Sequence, residues 1–197
     1  MKVFLGGTCA NSKWREKLIP MLNIDYFNPV THNWNEAARQ EEIKQRKECD
    51  LVLYVLDRVY STYSIAEVVD DSNKRPQKTI CCVINEKLSN DKLALSKQDL
   101  KHLDQVGKMV ERNRSKYFKS LKEVADYINK ISIKDFKIGD RVQVFQLIEP
   151  SQYASIGDIG TIIRVGNVSN VEYPISVALD NGKKIYGFKE EELVYYI

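Results

Sequence analysis

The chain has no long apolar run: nothing approaches the roughly 18–20 residues that a helix needs to cross a bilayer. The first apolar stretch, Val3-Phe4-Leu5, is too short for a secretory leader and reads as a strand. The protein is therefore expected to be cytoplasmic, with no membrane partner. Metal-ligating residues are scarce. The four cysteines, Cys9, Cys49, Cys81 and Cys82, form no CxxC pair, and the two histidines, His32 and His102, stand alone. No metal site is expected, and no cofactor. Cys81 and Cys82 are neighbours inside Thr79-Ile80-Cys81-Cys82-Val83-Ile84, so a strand turns them to opposite faces as core residues. Both GxGxxG and GxxxxGK[ST] are missing, which excludes the usual dinucleotide loop and P-loop. So is a basic stripe. The net charge is only +3, and the positive excess lies largely between Lys97 and Lys122, on a stretch that reads as a solvated helix face. Residues 134–197 hold seven Lys/Arg against nine Asp/Glu, a net of −2, which argues against phosphate-driven nucleic-acid binding there.

What is present changes texture along the chain. Up to about residue 133, buried strands alternate with helices: Val3–Leu5, a helix through Trp14, Leu18 and Met21 capped by Asn11 or Ser12, Ile24–Phe27 ended by Asn28-Pro29, a helix over Asn35–Glu48, a strand over 51–56, a helix opened by Ser64, a strand over 79–84, a helix over about 97–112, an extended Tyr117-Phe118, and a helix from Ser120 to Asn129. Strands joined through helices pair in parallel, so this half is α/β, a doubly wound three-layer sheet of four or five strands. From Phe136 onward the segments are short and β-branched: Arg141–Phe145, Gly160–Val165, Ile175–Leu179, Lys184–Phe188 and Leu193–Tyr196. Gly157-Asp158, Gly166-Asn167 and Asp180-Asn181-Gly182 separate them, the last being the strongest hairpin signal. The pattern Ile138-Gly139-Asp140-Arg141-Val142, Gly157 to Ile162 and Glu192-Leu193 is similar to an SH3-like barrel of the KOW/Tudor sort. Two domains are expected, 1–133 and 134–197. Tyr153, Tyr173, Tyr186, Tyr195 and Tyr196 are candidates either for a stacking or peptide-binding surface or for packing within that barrel.

The residues with chemistry to offer lie in the first half. Tyr63-Ser64-Ile65-Ala66-Glu67 follows the apolar run Leu51–Leu56, so Glu67 is expected in the first turn of a helix at the carboxyl end of the sheet. A carboxylate there lies in the positive field of the helix N-terminus, is favoured in its ionised form, and can attack a sugar carbon to give a glycosyl ester. The same residues satisfy a capping box, Ser64-x-x-Glu67, which would spend the carboxylate on the Ser64 backbone N–H. Gly6-Gly7-Thr8 after the first strand can bring backbone N–H groups to a ligand, and a branched side chain at Gly7 is expected to harm binding more than folding. Glu42, in Glu41-Glu42-x-Lys44, is either a second acid or one more solvated charge of an exposed helix.

Val3-Phe4-Leu5-Gly6-Gly7-Thr8, Trp14-Arg15, Phe27-Asn28-Pro29, Trp34, Asp50-Leu51-Val52-Leu53-Tyr54 and Tyr63 to Glu67 follow one another as in the nucleoside 2-deoxyribosyltransferase-like family. The chain resembles that family over roughly residues 1–130, and looks nearest to its divergent branch in bacteria and their phages. The resemblance implies a flavodoxin-like fold and chemistry at the glycosidic carbon of a nucleoside or nucleotide. It implies Glu67 as nucleophile and Glu42 as the acid near the leaving base. It also implies Gly6, Gly7 and Thr8 beside the sugar, and Asn28 and Trp34 facing the base, with Asp50, Tyr63 and Ser64 in the same set. A homo-oligomer whose neighbouring subunit completes the site is part of the implication. Phe4 replaces a Tyr that steadies the nucleophile in the salvage enzymes, and Tyr63 is a candidate to supply that hydroxyl. Deoxyribosyl transfer and N-glycosidase hydrolysis both follow from such a site. The alternative is a catalytically silent nucleotide-binding module whose barrel docks a protein partner.

Overall fold

Two packed sheets organise the protein, each in its own compact unit. In a computed structural model, residues 1–10, 12–86, 94–166, 172–182 and 185–196 are described, and they divide into Met1–Asp126 and Tyr127–Ile197. The expected caps and turns at Asn11 and Asn167, and the strand start at Lys184, lie outside the described residues.

The first unit holds β1 (Lys2–Gly7), α1 (Trp14–Leu18, continued by a 3-10 turn over Ile19–Met21), β2 (Asp25–Phe27), α2 (Glu36–Glu48), β3 (Leu51–Leu56), α3 (Thr62–Lys74), β4 (Thr79–Val83), α4 (Lys97–Arg112) and β5 (Lys116–Phe118). All pairings are parallel and the order is β2-β1-β3-β4-β5, the flavodoxin-like arrangement. All six residues of β3 and all five of β4 are buried, as expected of central strands covered by helices on both faces. Cys81 and Cys82 are among them, unpaired and fully buried. The chain leaves β1 to build β2 on one side, then returns to build β3 on the other. That reversal opens a crevice between the carboxyl ends of β1 and β3.

Caps account for several boundaries. The Asn35 side chain accepts from the Ala38 N–H at 2.9 Å to start α2, and Ser96 with Asp99 forms a capping box on α4. Ser120 Oγ accepts from the Glu123 N–H at 3.2 Å, and the helix it opens, α5 (Leu121–Ser132), runs one turn past the expected Asn129. The division between the two units falls inside α5.

Gly7 corrects one expectation. It has φ +105°, and a Cβ built there would lie 2.2 Å from the Val55 carbonyl oxygen and 2.5 Å from the Val55 nitrogen. The missing side chain is therefore what lets β1 and β3 lie against each other, and a branched residue at Gly7 is set to damage the fold itself.

The second unit carries β6 (Arg141–Val144), β7 (Ile159–Val165), β8 (Ile175–Leu179), β9 (Tyr186–Phe188) and β10 (Leu193–Tyr195), all antiparallel in the order β10-β6-β7-β8-β9. The strands alternate, and Val142, Val144, Ile162, Ile175, Val177, Leu179, Phe188 and Leu193 point into one core. The turn at Asp180-Asn181-Gly182 joins β8 to β9, with Gly182 at φ +71°. Tyr186 and Tyr195 pack against that core, whereas Tyr153 and Tyr196 are exposed.

Candidate functional site

The crevice is built by three loops that hold one another. Trp14 is fully buried and gives its indole N–H to the Thr8 carbonyl at 2.9 Å, which anchors the short α1 against the end of β1. Arg15 folds back beside it. Its Nη1 donates to the Thr8 carbonyl at 2.8 Å, and its Nε and Nη2 donate to the Leu5 carbonyl at 3.1 and 2.8 Å. Thr8 itself is buried: its backbone N–H goes to Val55, and its hydroxyl shares a proton with Ser61 at 2.8 Å and accepts from the Asp57 N–H at 3.3 Å. Asp57, fully buried just after β3, accepts the Ser12 hydroxyl at 2.6 Å. The loops after β1 and β3 are thus stitched into one rigid floor.

Above that floor is a cavity of about 260 Å³, near the lower end for small-molecule sites and suited to one nucleoside-sized ligand. Gly6, Gly7, Cys9 and Arg15 line it from β1 and α1. Pro29, Val30, Thr31 and Trp34 line it from the segment before α2, Glu42 from α2 itself, and Tyr63, Ser64 and Glu67 from α3. Trp34 and Tyr63 are 57% and 75% exposed, two aromatic rings largely open to solvent at the cavity.

Glu67 lies deeper in its helix than expected. α3 begins at Thr62 with Ser61 in the cap position, so Glu67 is in the second turn and Ser64 in the first. The cap lies three residues earlier than expected, at Ser61, where the Ser61–Thr8 hydroxyl bond ties the loop down. No capping box forms. The Glu67 carboxylate turns to α2, where Arg46 Nη1 donates to its Oε1 at 2.8 Å. One turn into the helix, the terminal field has largely decayed. Burial dominates instead and pushes Glu67 up to about 7, against the pull of Arg46 and with Glu42 and Asp71 adding to the rise. Glu42 is half-buried, and burial raises its carboxyl too, opposed by Arg46 and Arg15. The two acids face one cavity, and the nearby Glu42 adds to the rise of the Glu67 carboxyl.

The other expected site residues divide. Gly6, Gly7, Trp34, Tyr63 and Ser64 line the cavity with Glu42 and Glu67. Three are not brought to it. Thr8 is spent on the loops. Asn28 is exposed, its Oδ1 accepting from the Val30 N–H at 3.1 Å to shape the turn that presents Val30 and Thr31. Asp50 lies at the opposite end of the sheet, where its Oδ2 accepts the Lys2 backbone N–H at 2.7 Å and pins the start of β1 to β3.

Sequence reasoning passed over Arg46, Asp71 and Tyr54. Asp71 Oδ2 accepts from Tyr54 Oη at 2.6 Å, Arg46 Nε at 3.0 Å and Arg75 Nη2 at 2.8 Å, and these donors hold its carboxyl below the usual range despite burial. Tyr54 lies next to Gly6 in the register and its ring fills the space a Gly6 side chain would take. The buried tyrosine hydroxyl near Glu67 thus comes from β3, where Phe4 on β1 has none. The only signal was the i, i+4 spacing of Glu67 and Asp71 on one helix face.

A larger cavity of about 500 Å³ lies at the ends of β4 and β5, lined by Lys97, Lys101, Lys119, Leu100 and Tyr117 among others. Its one acid, Asp104, is tied to Lys108, Lys119 and Tyr117, so no free carboxylate pair is available there. The smaller crevice is the candidate site on its chemistry. Among the described residues no cluster of His, Cys, Asp or Glu could hold a metal ion, and no helix is long and apolar enough to cross a membrane.

A family model described as nucleoside 2-deoxyribosyltransferase like matches residues 1–86. The matched stretch spans β1 to β4 and contains every residue that lines the crevice. It supports a function related in general to deoxyribosyl transfer, acting on a nucleoside-type small molecule. No curated protein and no solved structure matches the chain.

Proposed function

We propose that the first unit cleaves the N-glycosidic bond of a 2-deoxynucleoside or its nucleotide through a covalent glycosyl ester on Glu67. The observation that carries this reading is the pairing of two partly buried carboxyls, Glu67 and Glu42, across one nucleoside-sized cavity at the switch point of the sheet. The base is stacked by Trp34 and Tyr63, which supply exposed aromatic faces at that cavity. The ionised Glu67 attacks the anomeric carbon. The bond to the base breaks with its electron pair moving to the ring nitrogen, and Glu42 delivers the proton that neutralises the departing base. Glu42, now a carboxylate, then activates water or an incoming base, which takes the sugar and frees Glu67. Water gives hydrolysis, and a second base gives transfer. The productive form carries its charge on Glu67, where the Arg46 hydrogen bond opposes the upward push of burial, and needs its proton on Glu42.

The test is release of free base from a panel of deoxynucleosides and their 5′-phosphates, by the wild type and by Glu67→Ala. Release that disappears in the variant is expected. A nucleotide that raises the melting temperature without being turned over would assign a silent binding module instead.

A further inference from the structure

Arg46 occupies an unusual position. It projects from α2 between two carboxylates one turn apart on α3: Nη1 donates to Glu67 Oε1 at 2.8 Å and Nε donates to Asp71 Oδ2 at 3.0 Å. Asp71 is itself held rigidly, with Arg75 Nε and Nη2 on its two oxygens at 3.0 and 2.8 Å and Tyr54 Oη on Oδ2 at 2.6 Å. Arg75 also closes the circuit by donating from Nη1 to the Arg46 carbonyl at 2.6 Å. α2 buries no residue of its own, so this lattice of charge-assisted bonds, rather than apolar packing, fixes where the helix lies. The second oxygen of Glu67, Oε2, accepts from none of the described residues.

We propose that Arg46 is a positioning residue for Glu67, clamped by Asp71 so that it fixes Oε1, leaves Oε2 for the substrate, and stays paired when Glu67 gives up its charge. This deepens the proposed function and rests on it. When the glycosyl ester forms, Glu67 becomes neutral and its ion pair with Arg46 is lost. A buried guanidinium left alone would oppose that step. Asp71 remains ionised throughout, held down by Arg75, Arg46 and Tyr54, so the cation keeps a partner in both states. The carboxylate is reset when the ester is hydrolysed, and Arg46 is already in place to receive it. A lysine would carry the charge without the planar fork that spans two carboxylates.

The groups facing Glu67 are Arg46 and Glu42 from α2, Asp71 on its own helix, Arg75 beyond the end of that helix and Tyr54 from β3, with Arg15 and Cys9 lining the same cavity. The experiment follows the Glu67 side-chain carboxyl by carbon-13 NMR across pH in the wild type, Arg46→Gln and Arg46→Lys, beside kcat and KM profiles. In Arg46→Gln the Glu67 midpoint is expected to rise by about one pH unit or more, the effect of removing a cation in direct contact. The acid limb of kcat should move with it, and kcat at pH 7 should fall at least about tenfold while KM changes by less than about threefold. Arg46→Lys should restore most of the midpoint and only part of kcat. A lower melting temperature with an unmoved midpoint and an unmoved acid limb would make Arg46 merely structural and overturn the proposal. If the wild type releases no base from any substrate, the catalytic reading fails, and an Arg46→Gln midpoint equal to the wild type's would separately overturn the assignment of Arg46 to Glu67.

Discussion

Replacing Gly7 by alanine is expected to remove a substantial part of the first unit's stability, although the change adds a single methyl group. The added Cβ would lie 2.2 Å from the Val55 oxygen, 2.5 Å from its nitrogen and 2.9 Å from its carbonyl carbon, all backbone atoms that no rotamer change can move. Ordinary contact requires β1 and β3 to part by about 1 Å at this pair. The φ of +105° adds roughly 1–3 kcal/mol for any residue with a Cβ. Parting the strands also weakens the Thr8 N–H bond to Val55 at 2.9 Å, and a buried backbone group left unpaired costs about 1–3 kcal/mol. Together the loss is about 2–6 kcal/mol, a substantial part of the 5–15 kcal/mol typical of a domain. Both tryptophans, buried Trp14 and exposed Trp34, lie in the first unit, so urea unfolding followed by their fluorescence reports on that unit alone. A loss below about 1 kcal/mol, with ligand binding abolished, would instead return Gly7 to a purely ligand-facing role.

Glu67→Gln should raise the melting temperature more at pH 8 than at pH 5. Burial pushes the folded carboxyl up to about 7, above its ordinary 4.5, so its favourable contribution is complete below about pH 4.5 and is lost as pH rises through 7. The full difference corresponds to at most about 3 kcal/mol, reduced to about 1–2 kcal/mol by the solvent that reaches the cavity, and equal shifts at both pH values would count against it. Trp34→Ala should raise KM about tenfold with kcat within about threefold, the signature of a stacking face that binds ground state and transition state alike; a fall in kcat with unchanged KM would contradict that role. Limited proteolysis should cut between Ser132 and Phe136 and leave a stable first fragment, because helical structure ends at Ser132 and no strand begins before Arg141. Fragmentation elsewhere, with none near residue 133, would argue against two independently folded parts.

How much of this was legible in the sequence follows from the range of the forces involved. β3 announced itself because Leu51–Leu56 is apolar at every position, and a central parallel strand buries both faces. The β8–β9 turn was equally plain, since Asn181-Gly182 supplies a left-handed conformation cheaply and Gly182 adopts one. The start of α3 was misplaced by three residues. Ser64 had the composition of a cap, but Ser61 is held by a hydroxyl 53 positions earlier in the chain, which no local pattern records. The same limit hid the surroundings of Glu67. Arg46 is 21 residues away on a helix polar on every face, so periodicity gave no indication of which side Glu42 and Arg46 occupy. Asp50 misled for the opposite reason: it adjoins the most legible strand, but at that strand's amino end, far from the crevice at the carboxyl end.

The proposed mechanism stands or falls on covalent attachment of Glu67 to the sugar during base release. Rapid acid quenching of the enzyme with a deoxynucleoside, followed by peptide mass spectrometry, measures this directly. A deoxyribosyl increment is expected on the peptide containing Glu67, formed in step with a burst of free base and absent in Glu67→Gln, whose base release falls by several orders of magnitude. Undiminished base release by Glu67→Gln, or a sugar adduct carried by a different residue, would contradict it.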